Sequence, residues 1–524
     1  MTPGLLLGWS CCAVLGAVLW LIAAGVPRRV GEWLAAGGYA LLLGFLLTGA
    51  LVGLRRDTVG VQLFGAVLPV FGGALAWLWL AAWLGRIGDR FGLYAVLLGF
   101  AAAVAVDLLV KPDSHWRLFA VTLPLLVAFA RLLGQAAAGR VRSGASLPAA
   151  GSTAGERLPY WAWLLFAAIA VRLALVADEA WLRPVFAWDA WNAWSLKART
   201  WFELGQVPFV DPAIWWQHGD ATLHTALAWR YPELLSRIEL WFAASAGAWN
   251  EGAVGMAWPL LWLALIAGCA GQWRALGVAP LRCAVFAYLL ASLPLLSVHA
   301  ALAGYADLWV ATALTFAVLS WLRWLRDGDR GQLLLAVCCA TALPLLKFEG
   351  AIWLLWLAGL AVLVALPSRW RKPGLAAAML LVVAAVLVSL LLQLPWLAIV
   401  RDTVSGLTTS GSETARLGAA LAFLNGLLGQ YNWHLLWPLL LGCLVWQRER
   451  LWRERETGLL AVLIGGGLAA LFVLFVFTPA AKWAASQTAA SRLMLHWAPL
   501  ALSLVALLLR GRPAPPHTPD ASPP

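Results

Sequence analysis

The stretch that decides the reading is Asp178-Glu179-Ala180-Trp181, taken up again at Trp188-Asp189-Ala190-Trp191-Asn192-Ala193-Trp194-Ser195-Leu196-Lys197-Ala198-Arg199. It opens the one long polar segment, residues 178–250, in a chain whose flanks are almost purely Leu, Ala and Val. Acids, bases and tryptophans crowd together in it. Chemistry is expected to start there.

Outward from this stretch the chain is apolar. Its 524 residues are 62% hydrophobic and 12% charged, whereas a soluble domain carries about a quarter charged residues. Runs long enough to cross a roughly 30 Å hydrocarbon core recur along nearly the whole length, and the short alternating strands of a barrel are absent. The expected fold class is therefore all-α, a polytopic membrane protein of about 15 transmembrane helices. Spans near 4–25, 34–54, 61–85, 92–110, 116–137 and 158–177 precede the polar segment. Spans near 253–273, 280–299, 303–323, 332–346, 351–367, 375–399, 421–446, 457–477 and 492–510 follow it.

The net charge of +12 does not mark a nucleic-acid binder, because the arginines sit in short loops between apolar runs and not on one basic face. Those holding Arg140, Arg142 and Arg157, Arg274 and Arg282, Arg323, Arg326 and Arg330, Arg369, Arg371 and Lys372, and Arg448 to Arg455 all fall on one side if every span crosses once. That side is the expected cytoplasm. The Pro-rich tail 511–524, read as disordered, falls there too. The 178–250 segment, the turn before Asp307, the turn at Lys347 and the 400–420 and 478–491 loops then share the opposite face.

The first apolar run has no Lys or Arg before it and reads as a membrane helix, not a cleaved signal. The Gly/Ala/Ser/Arg stretch 138–157 reads as a cytoplasmic linker. It divides an accessory set of helices, 1–137, from a main transmembrane module, 158–510. The seven cysteines lie in or beside apolar spans with no metal-ligand spacing, so neither a disulfide framework nor a zinc site is expected.

Asp178, Glu179 and Asp189 follow the sixth span, where burial and neighbours tune a carboxylate, and each is a candidate general base. Residues 188–201 have helical spacing, with Trp188, Trp191, Trp194 and Ala198 on one face of an expected interfacial helix. Lys197, beside that face, would balance a phosphate or pair with an acid. His224 would be a ligand residue or hydrogen-bonding scaffold. Asp307, Lys347 and Arg492 stand at one depth on the outer side, where an ionisable group in a span faces a cavity or a partner. A cation cluster there suits a lipid phosphate; ion pairing of Asp307 with Lys347 is the structural alternative.

The order of these features resembles the membrane glycosyltransferases of the GT-C fold, in particular the family 39-like group of protein mannosyltransferases and aminoarabinose transferases. Their outer-loop acid motif, Asp-x-x-Tyr-x-x-x-Ala-Lys/Arg, is matched by Asp189 through Arg199, and their Tyr-Pro-Pro-Leu-like element by Arg230-Tyr231-Pro232-Glu233-Leu234-Leu235. Gly304-Tyr305-Ala306-Asp307 looks like their Tyr-x-Asp element, and Lys347, before Phe348-Glu349-Gly350, like their lysine at a helix turn. Ser491-Arg492-Leu493 with Pro499 looks like their final Arg-plus-Pro helix. The likeness covers roughly 158–510. The chain departs from the pattern in carrying an acid pair, Asp178-Glu179, eleven residues before Asp189, and in its five extra N-terminal helices.

The resemblance implies an inverting transfer of sugar from a polyprenyl-phosphate-linked donor to a lipid, glycan or protein acceptor. It would take place at the periplasmic face of a bacterial inner membrane, among membrane lipids. Asp189, or else Asp178 or Glu179, would be the base. Lys347, Arg492 and Lys197 or Arg401 would hold the phosphate, and His224, Tyr231, Tyr305, Asp307 and Glu349 would complete the substrate site. No cofactor is implied, though the acids leave room for a divalent ion. A transporter or flippase of a lipid-linked sugar is the competing class.

Overall fold

Water is absent from hydrocarbon, so each apolar run must close its own backbone hydrogen bonds, and a helix does so within one segment. The computed structural model describes residues 2–53, 158–367 and 413–510, apart from 26, 28, 206, 219–221, 479 and 487–488. Seven helices among them are long and apolar enough to cross a membrane: Pro3–Leu21, Val30–Val52, Glu251–Ala275, Asp307–Asp327, Phe348–Ala365, Arg455–Phe477 and Ala490–Leu508. An eighth crossing is made if Pro280–Ser292 and Pro294–Ala301, bent by 61° at their junction, form one broken span. The all-α membrane class holds. The spans expected near 61–85, 92–110, 116–137 and 375–399, the linker 138–157, the tail 511–524 and Arg401 lie outside the described residues.

Burial sorts the helices. Ala490–Leu508 and Asp307–Asp327 are 94% and 83% buried and form the centre, whereas Phe348–Ala365 is 17% buried at a mean hydropathy of 2.0. A helix that is apolar all round and covered on so little of its surface presents most of itself to lipid. Val30–Val52 belongs to the centre as well, so the first two helices, set apart in sequence as an accessory unit, pack into the main body. A Cβ on Gly38 would stand 2.4 Å from the Ala264 carbonyl oxygen, so this approach to the 257–275 helix admits only glycine. Beside it the Tyr39 hydroxyl lies 2.7 Å from Ser320 Oγ and donates to the Phe316 carbonyl, and Gln272 Nε2 donates to it at 2.9 Å.

The break in the 280–301 pair has a local cause. Pro294 has no N–H to donate into the preceding turn, and carbonyls are left open. Arg172, midway along helix Ala162–Leu182, donates through Nε to Ala291 O at 3.1 Å, and a His434 ring nitrogen lies 2.8 Å from Ser292 O. A charged side chain within an apolar helix thus serves the kink of its neighbour.

Three sequence expectations change. The single span at 421–446 is two helices, Glu413–Leu428 and Leu436–Trp446, parted by a short 3-10 turn at Tyr431–Trp433 where His434 has a positive φ. The sixth helix runs on to Leu182, so Asp178 and Glu179 lie within its last turns and not beyond it. The helix expected over 188–201 is broken at Ala193 into Trp188–Asn192 and Trp194–Leu204, because the Asn192 carbonyl accepts from Ala228 N–H instead of continuing the helix. Trp188 and Trp191 stay exposed while Trp194 is buried, so the tryptophans do not share one face.

The two ends of the helices differ in chemistry. At one, arginines donate to terminal carbonyls: Arg326 to Ala275, Arg450 to Leu508 and Arg510 to Leu276. This matches a cation to the negative end of each helix. At the other end lies the only described two-strand bridge, Phe209–Val210 parallel to His224–Thr225, and with it the acids and cations singled out in the sequence.

Candidate active site

Asp307 begins the 307–327 helix and is fully buried. Its Oδ1 accepts from Lys347 Nζ at 2.7 Å and lies 3.1 Å from His496 Nε2, and its Oδ2 accepts from Arg492 Nε at 2.9 Å and Nη2 at 2.7 Å. A carboxylate offers about four lone-pair directions. All four are occupied, so Asp307 orients its neighbours and has no edge to present to a substrate.

Arg492 is the link outward. Its Nη2 also donates to Asp189 Oδ2, so one guanidinium joins a buried carboxylate to a second that is partly exposed. The same guanidinium lies 4.3 Å above the Tyr305 ring, and His299 meets that ring edge-on at 5.1 Å. Three of the sequence candidates from three separate stretches, Asp189, Asp307 and Arg492, therefore touch, and Lys347 and Tyr305 complete the group. Gly304 makes the approach fit: it holds φ at +106°, and a Cβ there would stand 2.4 Å from the Ala190 side chain.

Around this centre, Lys347 Nζ also lies 3.4 Å from Glu349 Oε1, while Glu349 Oε2 is buried without a hydrogen bond. Tyr231 packs its ring between Trp194 and Phe348, and burial, then the Glu349 charge, push its phenol up to about 12. It stays an O–H donor at neutral pH.

Other candidates lie elsewhere. Glu179 pairs with Arg183 one turn on, and neither it nor Asp178 contacts Arg492 or Lys347. Lys197 is committed neither to an acid nor to an open edge. Its Nζ donates to the carbonyls of Trp229 at 2.8 Å and Tyr231 at 2.9 Å, and burial lowers its pKa to about 8. It ties the Trp194–Leu204 helix to the turn before Pro232. His224 sits in the strand bridge with Nε2 buried and unpartnered. Among the described residues, no three His, Cys, Asp or Glu side chains gather where a metal could bind.

The sequence reading missed three groups. His496 stands four residues after Arg492, a helical spacing that places both on one face. Trp353 stands in the same relation to Glu349. Glu239 was hidden in the polar segment: fully buried, it accepts from Ser195 Oγ at 3.0 Å, its Oε2 has no partner, and burial pushes its pKa up to about 8. The chain matches no protein-family model, no curated protein and no solved structure.

Proposed function

We propose that the chain is a membrane glycosyltransferase that moves a sugar from a polyprenyl-phosphate-linked donor to an acceptor, with inversion, at the end of its helices opposite the arginines that donate to terminal carbonyls. The observation that carries this reading is Arg492, which holds Asp189 at a partly exposed edge while Asp307 and Lys347 fix it from behind. A transferase of this kind needs a carboxylate to take the acceptor proton and a cation for the leaving phosphate within one site.

Charge dictates how the two would work together. Asp189, Asp307 and Glu349 face Lys347 and Arg492, so the described cluster has no surplus cation. The donor phosphate would take the place of Asp189 on the guanidinium, and the displaced carboxylate would become free to accept a proton. Arg492 would stabilise the charge that grows on the phosphate as the glycosidic bond breaks. Tyr305, under the guanidinium, and Asp307, behind it, act as positioning residues.

The broken span at 280–301 favours a second reading, transport of the lipid-linked sugar without transfer, since discontinuous helices at membrane depth recur in transporters. One assay separates them. Membranes holding wild type or Asp189→Asn at matched amounts are given a labelled polyprenyl-phosphate sugar, and both product and leaflet distribution are read. Loss of labelled product in the variant supports the transferase; movement of donor with no product from wild type sinks it.

A further inference from the structure

At the opposite end of the 307–327 helix, about 30 Å from Asp307 by helical rise, lies a cavity of about 750 Å³ between the starts of the 30–52 and 280–292 helices and the 162–182 helix. Arg29, Arg274, Arg323 and Arg326 line it, against the carboxylates of Glu32 and Asp327. Four guanidinium groups against two acids leave positive charge in excess. Much of the acid is already in use, since both Asp327 oxygens accept from Arg326, at 2.7 and 3.1 Å. Arg323 is less well served: its Nε is buried with no hydrogen bond and lies 3.8 Å from Asp327 Oδ2. A buried guanidinium N–H left unmatched is costly, and an anionic oxygen in the cavity would satisfy it.

The remaining wall is apolar. Leu34, Trp163 and Phe166 border the cavity and are themselves exposed, Trp163 at 62%. In a membrane these side chains meet acyl chains, and a tryptophan at this level marks the headgroup boundary. Charge within and apolar side chains at the mouth fit one kind of molecule. We propose that the cavity binds an anionic phospholipid, its phosphodiester among Arg29, Arg323 and Arg274 and its acyl chains along Trp163 and Phe166. Basic pockets between transmembrane helices on the cytoplasmic side hold such headgroups.

The full chain, purified in detergent, would be titrated with phosphatidylglycerol and with phosphatidylcholine, and retained lipid counted by native mass spectrometry. Phosphatidylglycerol should be retained at least about tenfold more tightly, a discrimination within reach of two or three guanidinium contacts. Arg29→Gln, at an exposed helix start, and the double variant Arg29→Gln/Arg323→Gln should lose that preference stepwise at unchanged melting temperature, and Arg29→Lys should restore it in part. Equal retention of the two lipids overturns the proposal, as does a preference untouched in the folded Arg29→Gln protein. Displacement of the lipid by millimolar inorganic phosphate would assign the cavity to a soluble anion and overturn it too. None of these readings depends on transfer activity.

Discussion

Trp353 donates its indole N–H to Nδ1 of His496 at 2.9 Å. An indole nitrogen can only donate, so Nδ1 is the unprotonated nitrogen and Nε2 carries the hydrogen that points at Asp307. The imidazole is thereby held neutral in one tautomer. Without that bond the ring could turn its lone pair toward the carboxylate. Trp353→Phe should cost about 1–3 kcal/mol, the price of a buried acceptor left without its donor. It should also let both tautomers appear in nitrogen NMR of histidine-labelled protein. A spectrum still showing the single tautomer would remove Trp353 from this role.

The two aspartates on Arg492 should separate stability from activity. Asp307→Asn removes the buried carboxylate that Lys347 and Arg492 share, leaving them only Glu349 and Asp189 at its edge, and should destabilise the protein by about 3–5 kcal/mol. Asp189 is partly exposed, and Asp189→Asn should cost about 1 kcal/mol or less while abolishing transfer. Thermal unfolding beside the transfer assay reads both. Comparable unfolding of the two variants would show that Asp189 is a structural partner.

Glu239 sets a pH dependence of definite sign. Its folded pKa of about 8 lies above the ordinary 4.5, so between these values the native state holds a proton that the unfolded chain has released. The stabilisation is complete below 4.5 and is lost as pH rises through 8, with a slope of up to about 1.4 kcal/mol per pH unit. Melting temperature should fall between pH 5 and about 8, and Glu239→Gln should flatten that part of the curve. An identical profile in the variant would place the titration elsewhere.

Gly304→Ala tests the approach of the Asp189 segment to Tyr305. A left-handed φ and a Cβ contact of 2.4 Å together should cost about 1–3 kcal/mol. Because the clash falls on Ala190, next to Asp189, transfer should drop further than stability alone explains. Full activity in the folded variant would show that this contact does not position Asp189.

What was legible in sequence was whatever rests on composition and order along the chain. Apolar length marked the helices, and charges rare in spans marked Asp307, Lys347 and Arg492 before any geometry was known. What was hidden depends on three-dimensional partners. Asp178 and Asp189 look alike as loop acids, and only the extension of one helix to Leu182 and the break at Ala193 separate their surroundings. Lys197 reads as a partner for a phosphate or an acid until the carbonyls of Trp229 and Tyr231 close on it. Arg172 is not singled out by the sequence at all, because its acceptors, Ala291 O and Ser297 Oγ, come together only at the Pro294 kink.

The bonds from Tyr39 to Gln272 and Ser320 also bear on how the chain is made. The helix carrying Tyr39 enters the membrane long before the two that satisfy it are synthesised, and a hydroxyl in hydrocarbon without a partner is costly. Until the 257–275 and 307–327 helices are made, that hydroxyl lacks the partners it has in the folded chain. Late partners for an early helix make assembly a proofreading step: a chain that stalls or mispacks keeps a polar group exposed to lipid, a defect that sets it apart from the finished protein.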